Sequence, residues 1–128
     1  MELKNKALFK ESCFVGGKWI DSDSGEKIKV DNPANNEIIG EVPKCSTSET
    51  TKAIKEAQDA FPNWRDKTAK ERSIILQKWA RLIEQNVDDL ARIMTLEQGK
   101  PLAEAKGEIL MGVTYIDFYA EEGKRVYG

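Results

Sequence analysis

The chain has 128 residues, 40% of them hydrophobic and 33% charged. That is room for one globular domain and too little for two, and a chain of this size can bury about two-thirds of its unfolded surface. Lys and Arg number 20 and Asp and Glu 22, a net charge of −2, without the basic excess of a nucleic-acid binder. Histidine is absent. This excludes Ser-His, Cys-His and histidine-base catalysis and every histidine-containing metal site. The two cysteines, Cys13 and Cys45, cannot close a four-ligand zinc or iron–sulfur site. Met1 to Lys10 has no apolar core of a secretory signal, and no window approaches the roughly 18 apolar residues of a membrane span. The expectation is a cytoplasmic protein with reduced cysteines, no membrane and no nucleic-acid partner.

Residues 1–12 read as an N-terminal tail, and the strands fall within 13–43. Cys13-Phe14-Val15 and Lys18-Trp19-Ile20 flank Gly16-Gly17, which suits a type I′ turn because both central positions need positive φ. Asp21 to Gly25 is a loop by its turn chemistry. Lys27 to Val30 alternates with period two, as a half-buried strand does, and Asn32-Pro33 stops it. Ile38 to Val42 makes another strand, ended by Pro43. Together these predict a small antiparallel meander.

Helices are expected within 46–125. Ser46-Thr47-Ser48-Glu49 and Thr68-Ala69-Lys70-Glu71 are both capping boxes. After the first, Ala53, Ile54, Ala57, Ala60 and Phe61 form an apolar stripe, and Pro62 is expected to end the helix. After the second, Ile75, Trp79, Leu82 and Ile83 follow at helical spacing, with Trp79 on a core stripe. Asn86 reads as a new N-cap, with Asp88 and Asp89 favoured by the helix dipole in the first turn. Leu90, Ile93 and Met94 carry the apolar face on. Gly99 ends this helix, and Pro101 opens the next at N1. The last helix runs from about Pro101 to about Lys124, with Leu102, Ala105, Ile109, Val113 and Ile116 on its buried side. Gly107 and Gly112 lie inside it, each costing about 1 kcal/mol against alanine. Either they are tolerated there, or a neighbour, backbone or ligand, comes close. Glu121 and Arg125 are spaced as an (i, i+4) pair. No strand–helix–strand alternation appears, so the fold class is α+β and no parallel sheet is completed.

Side-chain chemistry alone marks no active site. A buried structural role outweighs a nucleophilic one for Cys13. Cys45, between Lys44 and Ser46 just before a helix, reads as an incidental loop cysteine. Helix-start acids explain Asp88 and Asp89 better than a paired-carboxylate site does. Gly16-Gly17 is no phosphate loop, since no helix follows and Gly-x-Gly-x-x-Gly is absent. Trp19, Trp64 and Trp79 read as packing residues.

The order of motifs is more specific. FVGGKWI, VDNPANNEIIGEVP, AIKEAQDAFPNWRDKTAKERSIILQKWA, LARIMTLEQGKPLAEAKGEI and the closing FYAEEGKRVYG together resemble the N-terminal segment of aldehyde dehydrogenases. The wording of LEQGKPLAEAKGEI and FYAEEGKRVYG is most similar to the succinate-semialdehyde branch. The resemblance implies that 13–128 is an incomplete N-terminal part of the cofactor-binding domain of the family's α/β fold. It implies oxidation of a small aldehyde to a carboxylic acid with NAD or NADP as cofactor, through a cysteine thiolate, an oxyanion hole and a glutamate-assisted water. The family's catalytic asparagine, glutamate and cysteine lie in later motifs, among them Trp-Asn-Phe-Pro and Gly-Gln-x-Cys, and neither occurs here. Cys13 and Cys45 match none of them. The expectation is therefore a fragment that binds no cofactor and is inactive alone.

Two further roles follow from the resemblance. The last helix lines part of the family's aldehyde tunnel, which points to Gly107, Glu108, Met111 and Gly112. Many members also hold a monovalent cation through the acidic residue of the Thr-Leu-(Asp/Glu)-x-Gly-Lys-Pro motif and backbone oxygens after the second strand. The matching positions are Glu97 with Val30 or Asp31, unless Glu97 is simply a late-helix surface acid. Helix faces that a missing sheet would cover favour association, so a homo-oligomer is expected. The competing reading is a non-catalytic helical interaction module.

Overall fold

The computed structural model describes residues 2–127. Four strands and four helices follow in order: β1 (Cys13–Val15), β2 (Lys18–Ile20), β3 (Lys27–Asp31), β4 (Ile38–Pro43), α1 (Thr47–Arg65), α2 (Ala69–Gln85), α3 (Val87–Gln98) and α4 (Leu102–Glu122). The α+β class holds, with the strands ahead of the helices.

The strands do not form the expected single meander. β1 pairs only with β2 and β3 only with β4, giving two separate antiparallel hairpins. The first turns at Gly16 and Gly17, with φ of 57° and 77°, the positive values a type I′ turn requires. What separates the hairpins is the loop between them. Ser22 Oγ donates to the Glu26 carbonyl at 2.8 Å, and the Asp23 N–H donates to Glu49 Oε1 at 2.8 Å. The chain leaving β2 is thus drawn to the start of α1 instead of folding back alongside it.

Both capping boxes form. At α1 the Ser46 N–H donates to Glu49 Oε2 at 2.9 Å, and the Ser46 hydroxyl donates to the same oxygen. These bonds, with the one from Asp23, hold the Glu49 carboxyl far below the usual carboxylate range. Pro62 does not end α1, which continues to Arg65. The missing donor leaves only the carbonyl of exposed Gln58 unpaired, where water reaches it. The helix closes at its C-cap, where the Asp66 N–H donates to the Pro62 carbonyl at 2.9 Å.

Asn86 lies between α2 and α3, but its side chain makes no bond to the start of α3. Its Nδ2 instead donates to the Leu82 carbonyl at 2.8 Å and closes the end of α2. Pro101 sits one position before α4, as its cap. Arg125 pairs with Glu122 at 3.3 Å, while Glu121 takes Lys124 at 2.7 Å. The end of α4 at Glu122 removes the helical spacing that an (i, i+4) pair needs.

The core is small. Its buried apolar residues are Ala80, Ala91, Ala105, Val113 and Ala120, contributed by α2, α3 and α4, and among the described residues no large side chain is fully buried. α4 packs against both α2 and α3. Polar bridges close the seams: Arg81 of α2 pairs with Asp117 of α4, and Lys106 of α4 reaches Asp88 of α3 at 2.6 Å. Trp79 is 55% exposed and off the core. The packed side of α2 is the one carrying Ser73 and Ala80, rotated from the Ile75-Trp79-Leu82 stripe. Ile54 and Phe61 of α1 are also exposed. No helix is long and apolar enough to cross a membrane, among the described residues.

The clamp at Glu49 gives a test. Ser46→Ala should cost about 0.5–2 kcal/mol, the usual range for a lost N-cap. Because folding lowers the Glu49 pKa, its stabilisation is present above the unfolded value of about 4.3 and fades as pH falls below it. Glu49→Gln should lower the midpoint at neutral pH and flatten the acid limb of stability against pH. Thermal melts followed by helix circular dichroism across that range measure both.

Candidate functional site

The candidate residues lie around the meeting of α3, α4 and β3. Gly99 ends α3 in the left-handed conformation, φ 78°, where a residue with a Cβ is strained. A Cβ at this position would also lie 3.0 Å from Pro33 Cγ. The bare glycine thus lets the loop after β3 rest on the end of α3. This brings the C-terminal end of α3 close to the chain that leaves β3. There the ladder between β3 and β4 is irregular: Val30 pairs with Gly40 and Asp31 with Ile38, which leaves Ile39 of β4 as the bulged residue.

An apolar groove of about 580 Å³ opens between α2, α3 and α4. Ile83, Leu90, Met94 and Ile109 line it, with Glu97 at its polar rim and Gly112 on the α4 side. So the structure places Glu97, expected near the cation, and Gly112, expected on the tunnel, along one groove. Gly107, Glu108 and Met111 do not line it. They fall with Gly112 within about 140° of helical arc, at 100° per residue. Tyr115, Phe118 and Tyr119 continue that side of α4, and all three are exposed, as is Met111. α4 is thus apolar both toward its neighbours and away from them, the pattern of a helix covered on all sides. Glu108 forms an ion pair with Lys100.

Several residues here carry more than their sequence reading gave them. Asp89 is buried and accepts from the Lys4 N–H at 3.0 Å and the Asn5 N–H at 2.7 Å. It anchors the N-terminal segment, which makes a short 3-10 turn at Lys6–Leu8. Asp88 takes Lys106 and Lys4, chiefly Lys106, and its carboxyl is lowered as a result. Adjacent acids at a helix start gave no hint of partners some 85 positions away. The two cysteines also meet, Cys13 Sγ lying 3.8 Å from Cys45 Sγ. A spacing of 32 residues across two hairpins is no cysteine motif, so only the fold could reveal it.

The groups present do not fit a dinucleotide. Both sheets are antiparallel hairpins, and among the described residues no strand runs through a glycine-rich loop into a helix. Nor do three or more acidic or cysteine side chains cluster as a metal cage, among the described residues.

The two buried-side questions on α4 resolve differently. Ala105 and Val113 are packed as expected, while a Cβ built at Gly107 or Gly112 meets nothing within 4 Å. Neither glycine serves a close approach within this chain. Gly107→Ala and Gly112→Ala should therefore each stabilise it by about 0.5–1 kcal/mol. Urea denaturation of the two variants measures this, and a loss of stability would reveal a neighbour pressing on α4.

Residues 19–128 match the model of the aldehyde dehydrogenase family. Among curated proteins, the chain is 55% identical to a glutarate-semialdehyde dehydrogenase of Pseudomonas putida, over 100% of this chain and 27% of that one. It is 52% identical to the NADP(+) succinate-semialdehyde dehydrogenase of Escherichia coli, with the same two coverages. The solved succinate-semialdehyde dehydrogenase of Burkholderia pseudomallei superposes with a TM-score of 0.97 at 49% identity, covering 100% of this chain and 27% of that one. The chain thus spans about a quarter of the length of the curated relatives it matches.

Proposed function

Because the chain belongs to the aldehyde dehydrogenase family, we propose that the whole protein oxidises an aldehyde that carries a terminal carboxylate, succinate semialdehyde to succinate. The observation behind this reading is identity above one half, along the full chain, to dehydrogenases of two such semialdehydes. Glutarate semialdehyde is the second reading, and the glutarate-type relatives favour it. The two substrates differ by one methylene, which a binding pocket discriminates by only about 1–3 kcal/mol. NAD or NADP is the cofactor of the whole protein. This chain's residues do not fit that group, and they supply no catalytic cysteine, glutamate or asparagine in the family's motifs.

In this reading the chain's part is architectural. α4 offers Gly107, Glu108, Met111 and Gly112 toward the aldehyde entrance. Its exposed aromatic side is then a packing surface for the rest of the fold. Glu97, with backbone oxygens at Val30 or Asp31, holds a monovalent cation that pins α3 to β3.

Three measurements test this. The purified chain with NAD+ or NADP+ and succinate semialdehyde should form no reduced nicotinamide, and any absorbance gain above the enzyme-free control would contradict the assignment. The whole protein should oxidise both semialdehydes, with kcat/KM values within about 200-fold of each other. Activity confined to aldehydes without a terminal carboxylate would reject the substrate class. For the cation, potassium or sodium should raise the melting temperature above that in tetramethylammonium chloride at equal ionic strength. Glu97→Gln should abolish the difference, and equal melting of the parent chain in all three salts would remove the site.

A further inference from the structure

Cys13 lies at the open end of the first hairpin, opposite Ile20. Cys45 lies in the short link between β4 and α1, next to the cap residue Ser46. Both are free thiols, Cys13 half-buried and Cys45 exposed. Their sulfurs stand 3.8 Å apart, so closing a bond of about 2.0 Å asks for less than about 2 Å of movement. The approach is held from both sides. The hairpin's turn rests on α1, where a Cβ on Gly16 would lie 2.7 Å from Glu56 Oε2. Past β2, the Asp23 N–H is bonded to Glu49 Oε1, while Glu49 Oε2 takes the Ser46 N–H beside Cys45. One carboxylate therefore fastens the strand end that follows β2 and the link that carries Cys45.

We propose that Cys13 and Cys45 form a reversible disulfide, an oxidation-sensitive tether between the first hairpin and the start of α1. The oxidant is a small disulfide such as glutathione disulfide. One protein thiolate attacks it, forming a mixed disulfide and releasing one glutathione thiolate. The second cysteine then attacks the protein-side sulfur, the protein disulfide forms and the second glutathione leaves. The two protons given up by the protein thiols end on the two glutathione thiols, so one disulfide is oxidised into being as another is reduced. Desolvation, the hydrogen bond to Cys13 and the charges of Cys13, Glu49 and Asp23 push the Cys45 thiol up. Its reactivity is accordingly low at neutral pH, and the pairing is driven by proximity. The tether has work to do because, among the described residues, β1 and β2 pair with no other strand. Once closed, it fixes the hairpin to α1 covalently.

The test equilibrates the purified chain in glutathione buffers of graded redox ratio, in native buffer and in urea, then blocks free thiols and maps peptides by mass. The expected product is a chain lighter by two hydrogens, with Cys13 joined to Cys45. Closure should be favoured about tenfold or more in native buffer over urea. Cys13→Ser should leave only a glutathione adduct on Cys45. Protease cleavage in the Asp21–Gly25 loop should slow on oxidation of the parent chain and not of Cys13→Ser. Separate glutathione adducts on the two cysteines, disulfides between chains, or equal closure in native buffer and urea would overturn the pairing. Cleavage that does not slow on closure would overturn the tether.

Discussion

Small side chains set how the helices of this protein meet. Ala80, Ala91, Ala105 and Ala120 occupy the contacts of α2, α3 and α4, with Val113 the largest buried member. Alanine at a crossing lets two helix axes approach closely, but each buried methyl contributes only about 0.8 kcal/mol. The large apolar groups that usually stabilise a domain sit elsewhere on the same helices. Trp79, Met111, Tyr115 and Phe118 stay at the surface. The packing therefore fixes geometry well and provides modest cohesion, and it leaves a second set of apolar faces ready for more protein.

Where apolar burial is thin, carboxylates tie the chain together. Buried Asp89 accepts two backbone N–H groups from Lys4 and Asn5, and buried Glu49 accepts from Asp23 and Ser46. Each takes donors that no strand partner would otherwise satisfy, which offsets the cost of burying a charge. These two residues do for the N-terminal segment and the hairpin loop what a larger core would do by contact.

The sequence was most legible where structure is local. Gly16-Gly17, the capping boxes at Ser46 and Thr68, and Gly99 each depend on residues within four positions, and each formed as read. It was less legible where solvent or distance decided. Pro62 stays helical because water can satisfy the one exposed carbonyl it orphans. Asn86 turned back to Leu82, since a side chain between two helices can serve either end. Trp79 and Ile75 sit at helical spacing, yet periodicity marks an apolar face without saying what covers it. The site followed the same division. Motif wording identified the family, while the meeting of Cys13 with Cys45 and of Gly99 with Pro33 depends on tertiary contacts that no spacing encodes.

The two hairpins carry a last consequence. Each is a ribbon of two strands, so each strand has an outer row of backbone N–H and C=O groups outside the ladder, of which the Glu41 N–H of β4 is taken by Glu11 Oε1 at 2.8 Å. Such rows template pairing with any extended segment that comes near. β3 reads Lys27-Ile28-Lys29-Val30-Asp31 and β2 opens with Lys18, so two of the four rows carry ammonium groups. Like charges facing one another across a new ladder are destabilising. Self-recognition through these strands is thereby discouraged, while an acidic strand would meet them with complementary charge.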